Sequence, residues 1–366
     1  MTGDRVNSTD DALCPFVLSR PHSTVRADSV SRRFTEIDDA VEHLGTGRAD
    51  AVVGALPFDP ADQAALFVPT ALHHAPQPSR GHSPVVRRLA SFDEIPDPAT
   101  HRERVRRAVA AIDAGYLDKV VLARTVRAQL DSSIDIVDLL ESLAYGNSEH
   151  NAFAVNTGHS WLLGASPELL LRKEGREVTC RPYAGSAPRS ADPEADQRSR
   201  EMLAASDKDH REHAFVVDHL RDRLAPLSDT LSIPSQPQLL STGEMWHLAT
   251  PIRARLSDPG TSALHLALAL SPTPAVCGTP TDQAAQFIRE HEEPRGLYGG
   301  AVGWADAKGD GEWMVSIRCL ELDADRRSFR TWAGGGIVAD SDPEAELNET
   351  TAKLRTVFRA LGINES

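Results

Sequence analysis

The sequence contains little cysteine, no long apolar run and no excess of positive charge, and each shortage excludes a class of protein. Its four cysteines in 366 residues are scattered and form no CxxC pair, so neither a disulfide framework nor a zinc site is indicated. No stretch approaches the roughly 18 consecutive apolar residues of a membrane-spanning helix. The N-terminus lacks the basic and apolar regions of a signal peptide. We therefore expect a cytoplasmic protein with no membrane partner.

Acidic residues outnumber basic ones, with 53 Asp and Glu against 39 Lys and Arg and a formal net charge of −14. Nucleic acids bind basic surfaces, so we expect no nucleic-acid partner. A small anionic substrate is compatible with this charge, because a local basic pocket can lie on an acidic surface. No segment matches a phosphate-binding loop or a dinucleotide fingerprint, so no nucleotide is expected.

Strand patterns follow one another along the chain more often than they alternate with helix patterns. The clearest strand begins at Lys119 in "KVVLARTVRAQL", and others include "NAFAVNT", "GEWMVSIRCLEL" and "SFRTWAGGGIVAD". Helices are predicted for "HRERVRRAVAAIDAGYLD", ending near Gly115, and for a long stretch from 195 to 225. This order disfavours a doubly wound parallel sheet and favours an α+β fold with large, mostly antiparallel sheets.

Carboxylates gather at the starts of two predicted helices. Asp209 and Glu212 lie three residues apart in "SDKDHREHAFVVDHL", and Glu346, Glu349 and Lys353 share one face in "SDPEAELNETTAKL". Each group alone is typical of a solvated helix start, where acids suit the positive end of the dipole. Together they suggest two helices that supply carboxylates to a hard cation such as Mg²⁺. The HREH spacing does not match the zinc-protease motifs.

Two further residues are candidates for proton transfer. Glu168 follows a Ser-Pro turn and precedes three leucines in "GASPELLL". Apolar surroundings raise the pKa of a carboxyl group, as a general acid requires, and an exposed turn glutamate is an equally good interpretation of this stretch alone. Lys119 is a candidate base if it is buried, whereas lysines on strands are usually solvated. Glycine-rich segments and Arg318 in "MVSIRCL" are suited to hold an anion.

Nine segments, taken in order, resemble the chorismate-utilising enzymes, and in particular the isochorismate synthases. They are "KVVLART", "LLGASPELLL", "PYAGSAPR", "SDKDHREH", "MWHLATPI", "SPTPAVCGTP", "RGLYGGAVGW", "GEWMVSIRCL" and "AGGGIVADSDPEAELNETTAKL". The resemblance implies the α+β fold of that family, in which two large, mostly antiparallel sheets pack together with helices outside and the active site in a deep cleft. Residues 1–92 would form the N-terminal part of this fold without a motif, and residues 93–366 the chorismate-binding catalytic region.

The resemblance also implies a reaction, the conversion of chorismate to isochorismate for siderophore or menaquinone biosynthesis. Lys119 matches the family's general base, which activates a water to attack C2, and Glu168 matches the general acid, which protonates the departing C4 hydroxyl. Water is a poor nucleophile and hydroxide a poor leaving group, so each needs its own proton-transfer partner. A dry pocket favours the neutral lysine and the protonated glutamate that these roles require.

Further site residues follow from the same resemblance. Glu212 and Glu349 would bind Mg²⁺ directly, Glu346 would act through a water, and Asp209 would lie close to the metal in the outer shell. The metal would hold the ring carboxylate of the substrate. The positions that match substrate contacts are Gly185, Ser186, Tyr298, Arg318, Gly334 and Lys353.

Two positions separate the branches of this family. Relatives that add ammonia usually carry glutamine in place of Lys119, and some aminodeoxychorismate synthases carry lysine in place of Ala184. Both residues favour the branch that uses water, so we expect no glutamine amidotransferase subunit. Ser271 replaces a histidine of many relatives, at a position that varies across the family.

Two alternatives stay open. Salicylate synthase shares these motifs and differs in eliminating pyruvate from isochorismate after forming it. A catalytically silent chorismate-binding protein is the alternative from another class. It is disfavoured because Lys119, Glu168 and the four acids of the metal region are all present.

Overall fold

A computed structural model describes residues 14–76, 86–147, 149–242 and 245–363 of the chain. In chain order its strands are β1 (Phe16–Arg20), β2 (Ser23–Ala27), β3 (Val30–Phe34), β4 (Ala51–Leu56), β5 (Ala65–Pro69), β6 (Leu72–Ala75), β7 (Leu89–Ile95), β8 (Lys119–Leu130), β9 (Ala152–Asn156), β10 (Ser160–Gly164), β11 (Leu169–Glu174), β12 (Glu177–Arg181), β13 (Tyr183–Pro188), β14 (Ser228–Ser232), β15 (Gln238–Ser241), β16 (Met245–Ala249), β17 (Ile252–Leu256), β18 (Gly278–Thr279), β19 (Ala301–Asp306), β20 (Gly311–Val315), β21 (Cys319–Asp323) and β22 (Ser328–Ile337). The helices are α1 (Ile37–Gly45), α2 (Pro98–Asp113), α3 (Ile136–Tyr145), α4 (Pro193–Ala204), α5 (Asp207–Leu224), α6 (Ala263–Leu270), α7 (Thr281–His291) and α8 (Pro343–Ala360).

The strands form two large sheets and one small one. The first sheet has the order β18-β8-β22-β21-β10-β9-β1-β2-β6, with β7 also paired to β8, and the second has the order β14-β17-β12-β11-β20-β19-β4-β5-β3. The small sheet is β13-β16-β15. The pairings between these strands are antiparallel throughout. The predicted α+β class is therefore confirmed.

The two large sheets pack face to face, and helices cover their outer faces. The core between the sheets joins apolar side chains of β1, β9 and β10 to those of β4, β5 and β20. Helices α3 and α8 pack on the outer face of the first sheet, and α1, α5 and α6 pack on the second. Strands buried on both faces are largely apolar, as in "AVVGAL" of β4, in which every residue is buried. Burying one such side chain contributes about 1.5–3 kcal/mol, so this double core dominates stability.

The first 92 residues contribute strands to both large sheets. Strands β1, β2 and β6 extend one end of the first sheet through the pairing of β1 with β9. Strands β4, β5 and β3 extend one end of the second sheet through the pairing of β4 with β19. This part of the chain is therefore built into the same sandwich as the rest.

One helix prediction is confirmed and one is wrong. The helix predicted to end near Gly115 is α2, with Asp97 as its N-cap. The single helix predicted from 195 to 225 is two helices, α4 and α5. The chain breaks between them because the Ser206 hydroxyl accepts a hydrogen bond from the backbone N–H of Asp209 and caps a new helix.

The longest pairing in the first sheet is the ladder between β8 and β22. It runs over ten residue pairs, from Ser328 opposite Gln129 to Ile337 opposite Val120. Lys119, the first residue of β8, pairs instead with Thr279 of the two-residue strand β18. The three glycines of β22 therefore lie directly beside the start of β8. This end of the ladder positions the candidate site.

Two predictions from the composition can be compared with the structure. Among the described residues, no helix is long and apolar enough to cross a membrane. Cys14, Cys180, Cys277 and Cys319 are all free thiols, and all but Cys14 are buried. Disulfides therefore do not stabilise this sandwich.

Candidate active site

A cavity opens at the glycine end of the β8–β22 ladder and brings most of the predicted site residues together. The predicted site residues that line this cavity are Glu168, Gly185, Ser186, Glu212, Tyr298, Arg318, Gly334, Glu349 and Lys353. The remaining three, Lys119, Asp209 and Glu346, lie behind this lining and contact residues in or beside it. Residues far apart in sequence thus meet at one place, although their individual roles stay predictions.

Lys119 is fully buried, with 0% of its side chain exposed. Its Nζ lies 3.0 Å from Oε1 of Glu212, and this contact is the closest charge pairing of either group. The Nζ has no partner in hydrogen-bond geometry among the described residues. The interpretation of Lys119 as a solvated strand lysine is therefore wrong.

Glu168 is buried, with 2% exposure, immediately before the apolar strand β11. Burial raises its pKa to about 8, because desolvation disfavours the charged carboxylate. A hydrogen bond from the backbone of Tyr183 and the charges of Lys119 and Lys353 oppose this shift but do not cancel it. The interpretation as an exposed turn glutamate is wrong. At neutral pH this carboxyl group is mostly protonated and can donate a proton.

The acids of α5 and α8 are paired with lysines. Lys208 Nζ donates to Oε1 of Glu346 at 2.7 Å, and Lys353 Nζ lies 2.6 Å from Oε1 of Glu349. Together with the pair of Lys119 and Glu212, they form three lysine–glutamate pairs around one cavity. The expected solvated helix starts are not observed, since Glu346 is only 1% exposed. These carboxylates belong to an interior charge cluster.

The acids also act on each other. Burial and the nearby charge of Glu349 raise the pKa of Glu346 to about 7. Burial opposes the ionisation of Glu349 too, but the charge and hydrogen bond of Lys353 outweigh it and lower the pKa of Glu349. Burial raises the pKa of Asp209, and the charges of Glu212 and Glu349 add to that shift. The carboxylates of the two helices therefore lie close enough to shift each other's pKa.

Glycines let the backbone approach these acids. A Cβ on Gly336 would lie 2.0 Å from Oε1 of Glu212, and one on Gly335 would lie 2.9 Å from Oε2 of Glu346. Gly185 has φ of +75°, and a Cβ there would lie 2.9 Å from Cβ of Asp209. Glycine at these positions lets the carboxylates approach the backbone, and at Gly185 the positive φ also favours glycine.

The residues present fit a hard divalent cation. Carboxylates of α5 and α8 lie near enough to act on one another through their charges, and Oε2 of Glu346 is buried without a hydrogen-bond partner among the described residues. Oxygen donors of this kind are those that Mg²⁺ prefers. Within residues 14–76, 86–147, 149–242 and 245–363, no three acidic, histidine or cysteine side chains are already arranged as a ligand set. The lysines take the place of a cation beside each glutamate.

The residues predicted to contact the substrate are held in place by different interactions. Arg318 has φ of +52°, a left-handed conformation that is unusual for a residue with a side chain and is typical of functional sites. Tyr298 is buried and stacks on Trp332, with ring centroids 5.5 Å apart. Ser186 Oγ donates to Glu349 at 3.0 Å, and Lys353 Nζ donates to the carbonyl of Gly334 at 2.9 Å. Arg318 and Lys353 are the arginine and lysine among the described residues that line the cavity.

The sequence reasoning missed three residues. Lys208 neutralises Glu346, and its position beside Asp209 in "SDKDHREH" was the available signal. His247 lines the cavity, its Nε2 has no partner among the described residues, and burial lowers its pKa well below the ordinary value. Trp332 lines the cavity from two residues before the glycine run. Isolated residues of these types in a strand or helix carry little signal in one sequence.

Comparison with known proteins identifies relatives over nearly the whole chain. The family model described as "Chorismate binding enzyme" matches residues 66–362. A Mycobacterium tuberculosis protein provisionally named isochorismate synthase MenF is 47% identical over 96% of this chain and 97% of its own length. Isochorismate synthase DhbC of Bacillus subtilis is 40% identical over 95% of this chain and 94% of its own length.

A solved structure agrees with these relatives. The crystal structure of a Bacillus anthracis protein, provisionally described as the 2,3-dihydroxybenzoate-specific isochorismate synthase DhbC, superposes with a TM-score of 0.88 and 36% identity. The match covers 96% of each chain. The family model, the two relatives and the superposed fold agree with the resemblance seen in the nine motifs. This chain therefore belongs to the chorismate-binding enzymes.

Proposed function

We propose that this protein is an isochorismate synthase, which converts chorismate to isochorismate for siderophore or menaquinone biosynthesis. Its membership of the chorismate-binding enzymes supports the substrate. The observation that carries the reaction type is the raised pKa of Glu168, about 8, in a cavity beside a fully buried lysine. Replacing one ring hydroxyl by another needs one group to remove a proton and another to supply one.

In the proposed reaction, Lys119 takes a proton from a water as the water oxygen bonds to C2. The ring double bonds shift, and the C4–O bond breaks. Glu168 gives its proton to the departing hydroxyl, which leaves as water. One water enters and one leaves, and the proton gained by Lys119 restores the one lost by Glu168. Glu212, whose Oε1 lies 3.0 Å from Lys119 Nζ, would engage the bound cation during turnover and so leave the lysine available to the water.

Magnesium is the cofactor of this proposal. Glu212 and Glu349 would hold the ion directly, with Glu346 acting through a water and Asp209 in the outer shell. When bound, it would neutralise the acids and fix the ring carboxylate of the substrate. Arg318, buried at the cavity wall, is placed to bind the second carboxylate through its planar guanidinium. Lys353 and the backbone of Gly334 would support the substrate from α8 and β22.

The test is to incubate the protein with chorismate and Mg²⁺, with and without ammonium or EDTA, and to separate the products. We expect isochorismate in both ammonium conditions, and no turnover in EDTA until excess Mg²⁺ is added. Anthranilate or aminodeoxychorismate as the main product would contradict the proposal that water is the nucleophile. Salicylate with pyruvate would identify a salicylate synthase instead, and no product at all would indicate a silent binding protein.

A further inference from the structure

One edge of β8 is completed by two side chains in the gap between two strand pairings. On this edge β18 pairs with the first two residues of β8, and β7 pairs with β8 from Thr125 onward. Between these pairings, the backbone N–H of Ala123 donates to Oε1 of Glu292 at 2.7 Å. The backbone carbonyl of Val121 accepts from Nη2 of Arg295 at 2.8 Å. Two side chains from the segment after α7 thus continue the hydrogen bonding of this strand edge.

These two side chains also form a buried ion pair. Nε of Arg295 donates to Oε2 of Glu292 at 2.8 Å, and Nη2 donates to Oε1 at 2.9 Å. The two side chains are only 2% and 4% exposed. The guanidinium lies over the rings of Phe58 and Tyr298, 4.5 and 5.8 Å from their centroids. Because a planar guanidinium binds a carboxylate through two parallel bonds, this contact holds the pair in one orientation.

Arg295 also holds the chain that pairs with Lys119. Its Nη1 donates to the carbonyl of Val276 at 2.6 Å, two residues before β18, and Thr279 of β18 pairs with Lys119. Val121 and Val276 both line the cavity of the candidate active site, here called the catalytic cavity. One guanidinium therefore binds a carbonyl on each of the two chains whose pairing places Lys119.

We propose that Arg295, held by Glu292, is a positioning residue that sets where Lys119 lies relative to the substrate. This inference rests on the proposed function, in which Lys119 is the base. Arg295 lies outside the described lining of the catalytic cavity, so it acts through the backbone of β8 and of the chain before β18. A displacement of about 1 Å can lower the rate of a reaction roughly 10²-fold. The ion pair therefore contributes to turnover without touching the substrate.

The first experiment compares the steady-state kinetics of two matched variants. Arg295→Lys keeps a positive charge beside Glu292, but one ammonium group cannot reproduce the planar fork that holds the two carbonyls. It should lower kcat by about 10–100-fold and leave the KM for chorismate within about twofold, because the residues predicted to bind the substrate are unchanged. Arg20→Lys is the control, since Arg20 and Glu312 form an equally buried pair outside the catalytic cavity. Its kcat should stay within about threefold of wild type.

The second experiment asks whether Arg295 acts through Lys119. The variant that combines Lys119→Ala with Arg295→Lys should have a kcat within about threefold of Lys119→Ala alone, because a base that is absent cannot also be misplaced. A residue that only stabilises the fold would lower kcat by the same factor with and without Lys119. Equal factors would therefore overturn the proposal, as would a kcat for Arg295→Lys within about threefold of that for Arg20→Lys.

The third experiment does not depend on activity. Amide hydrogen exchange at Ala123 should be faster in Arg295→Lys than in Arg20→Lys, because the edge of β8 opens locally. Glu292→Gln is the second variant, with an amide oxygen that can still accept from Ala123, and should lower kcat by a smaller factor. Unchanged exchange at Ala123 in both Arg295→Lys and Glu292→Gln would overturn the proposal. A wild type without chorismate turnover would instead refute the proposed function, whatever the exchange at Ala123.

Discussion

Two buried glutamates, in or beside one pair of strands, have pKa values that are shifted in opposite directions. Glu168 immediately precedes β11, and Glu312 lies in β20, where it pairs with Arg172 of β11. Both are buried, and burial pushes the pKa of both upward. Arg20 and His22 bond the two carboxylate oxygens of Glu312 at 2.7 and 3.0 Å, so its pKa is lowered.

Among the described residues, the carboxyl group of Glu168 has no charged partner in hydrogen-bond contact. Its carboxyl group receives a hydrogen bond from a neutral backbone donor, and the lysines act on it only through their charge, so its pKa rises to about 8. Burial therefore does not decide whether a carboxyl group is ionised, because a charged partner in direct contact can outweigh it. One strand pair thus holds or adjoins both an acid whose pKa is lowered by an ion pair and an acid whose pKa is raised by burial.

The largest expected effect is on turnover when Glu168 loses its proton-donating ability. Glu168→Gln should lower kcat by roughly 10²–10⁴-fold, the usual contribution of a general acid, with little loss of stability. Glu312→Gln is the matched control and should keep kcat within about threefold, because it lies outside the catalytic cavity. Steady-state kinetics of both variants decide the matter. A Glu168→Gln enzyme with more than about a tenth of wild-type kcat would refute its role.

Buried lysines provide a second matched pair. Lys119→Ala should also lower kcat by roughly 10²–10⁴-fold, because the water would lose its base, while chorismate affinity should change little. Lys173 is equally buried, on β11, and its Nζ contacts Asp310 at 3.3 Å away from the catalytic cavity. Lys173→Ala should therefore affect stability and leave kcat of the folded fraction near normal. Equal losses of kcat in the two variants would mean that Lys119 is structural.

The ion pair between Arg20 and Glu312 predicts a change in stability when the arginine is replaced. Arg20→Met leaves Glu312 buried without its arginine partner, and the loss of one partner from a buried ion pair costs about 3–5 kcal/mol. Because the pKa of Glu312 is lowered in the folded state, its stabilisation is present above the unfolded pKa and is lost as the pH falls through the folded one. Denaturant unfolding at pH 7 and at pH 3 should show a larger deficit at pH 7. A constant deficit would contradict the ion-pair explanation.

The smallest expected effect is the pH dependence of Glu168. Its folded pKa of about 8 exceeds its ordinary value of 4.5, so the folded state binds more protons between these values and stability falls as the pH rises through that window. Glu168→Gln removes this effect, so its melting temperature relative to wild type should be higher at pH 9 than at pH 5. In wild type, kcat/KM should fall by about tenfold per pH unit above pH 8. A pH-independent difference in Tm would contradict the raised pKa.

The sequence predicted the sheets better than the site. Apolar periodicity was sufficient for β8 and α2, because both elements are regular and have clear ends. The periodicity of 195–225 concealed the break at Ser206, because a capping hydroxyl does not interrupt an apolar pattern. Spacing placed Glu346 and Glu349 on one helix face and suggested a cation shared with Asp209 and Glu212, but only the family resemblance assigned a separate role to each acid.

The lysine pairing was not predictable from local patterns. Lys208 reads as a solvated residue of a helix start, and its contact with Glu346 crosses 138 positions of the chain. Burial of Lys119 depends on β18 and on the glycines of β22, which no local window contains. Long-range packing thus determines which charges meet, and a single sequence does not encode that in any nearby residue.

The ladder between β8 and β22 joins residues about 200 positions apart, and so constrains the order in which the molecule can fold. During synthesis Lys119 leaves the ribosome long before the glycines of β22 and the acids of α8. Until β19 to β22 have been made, the sheets that contain β1 and β4 lack strands, because β19 and β20 belong to one sheet and β21 and β22 to the other. Such non-local pairing folds slowly and leaves strand edges exposed to other chains. The candidate active site is therefore assembled last. A nascent chain stopped before α8 would have exposed strand edges, would need chaperone protection, and would lack the site residues of that helix.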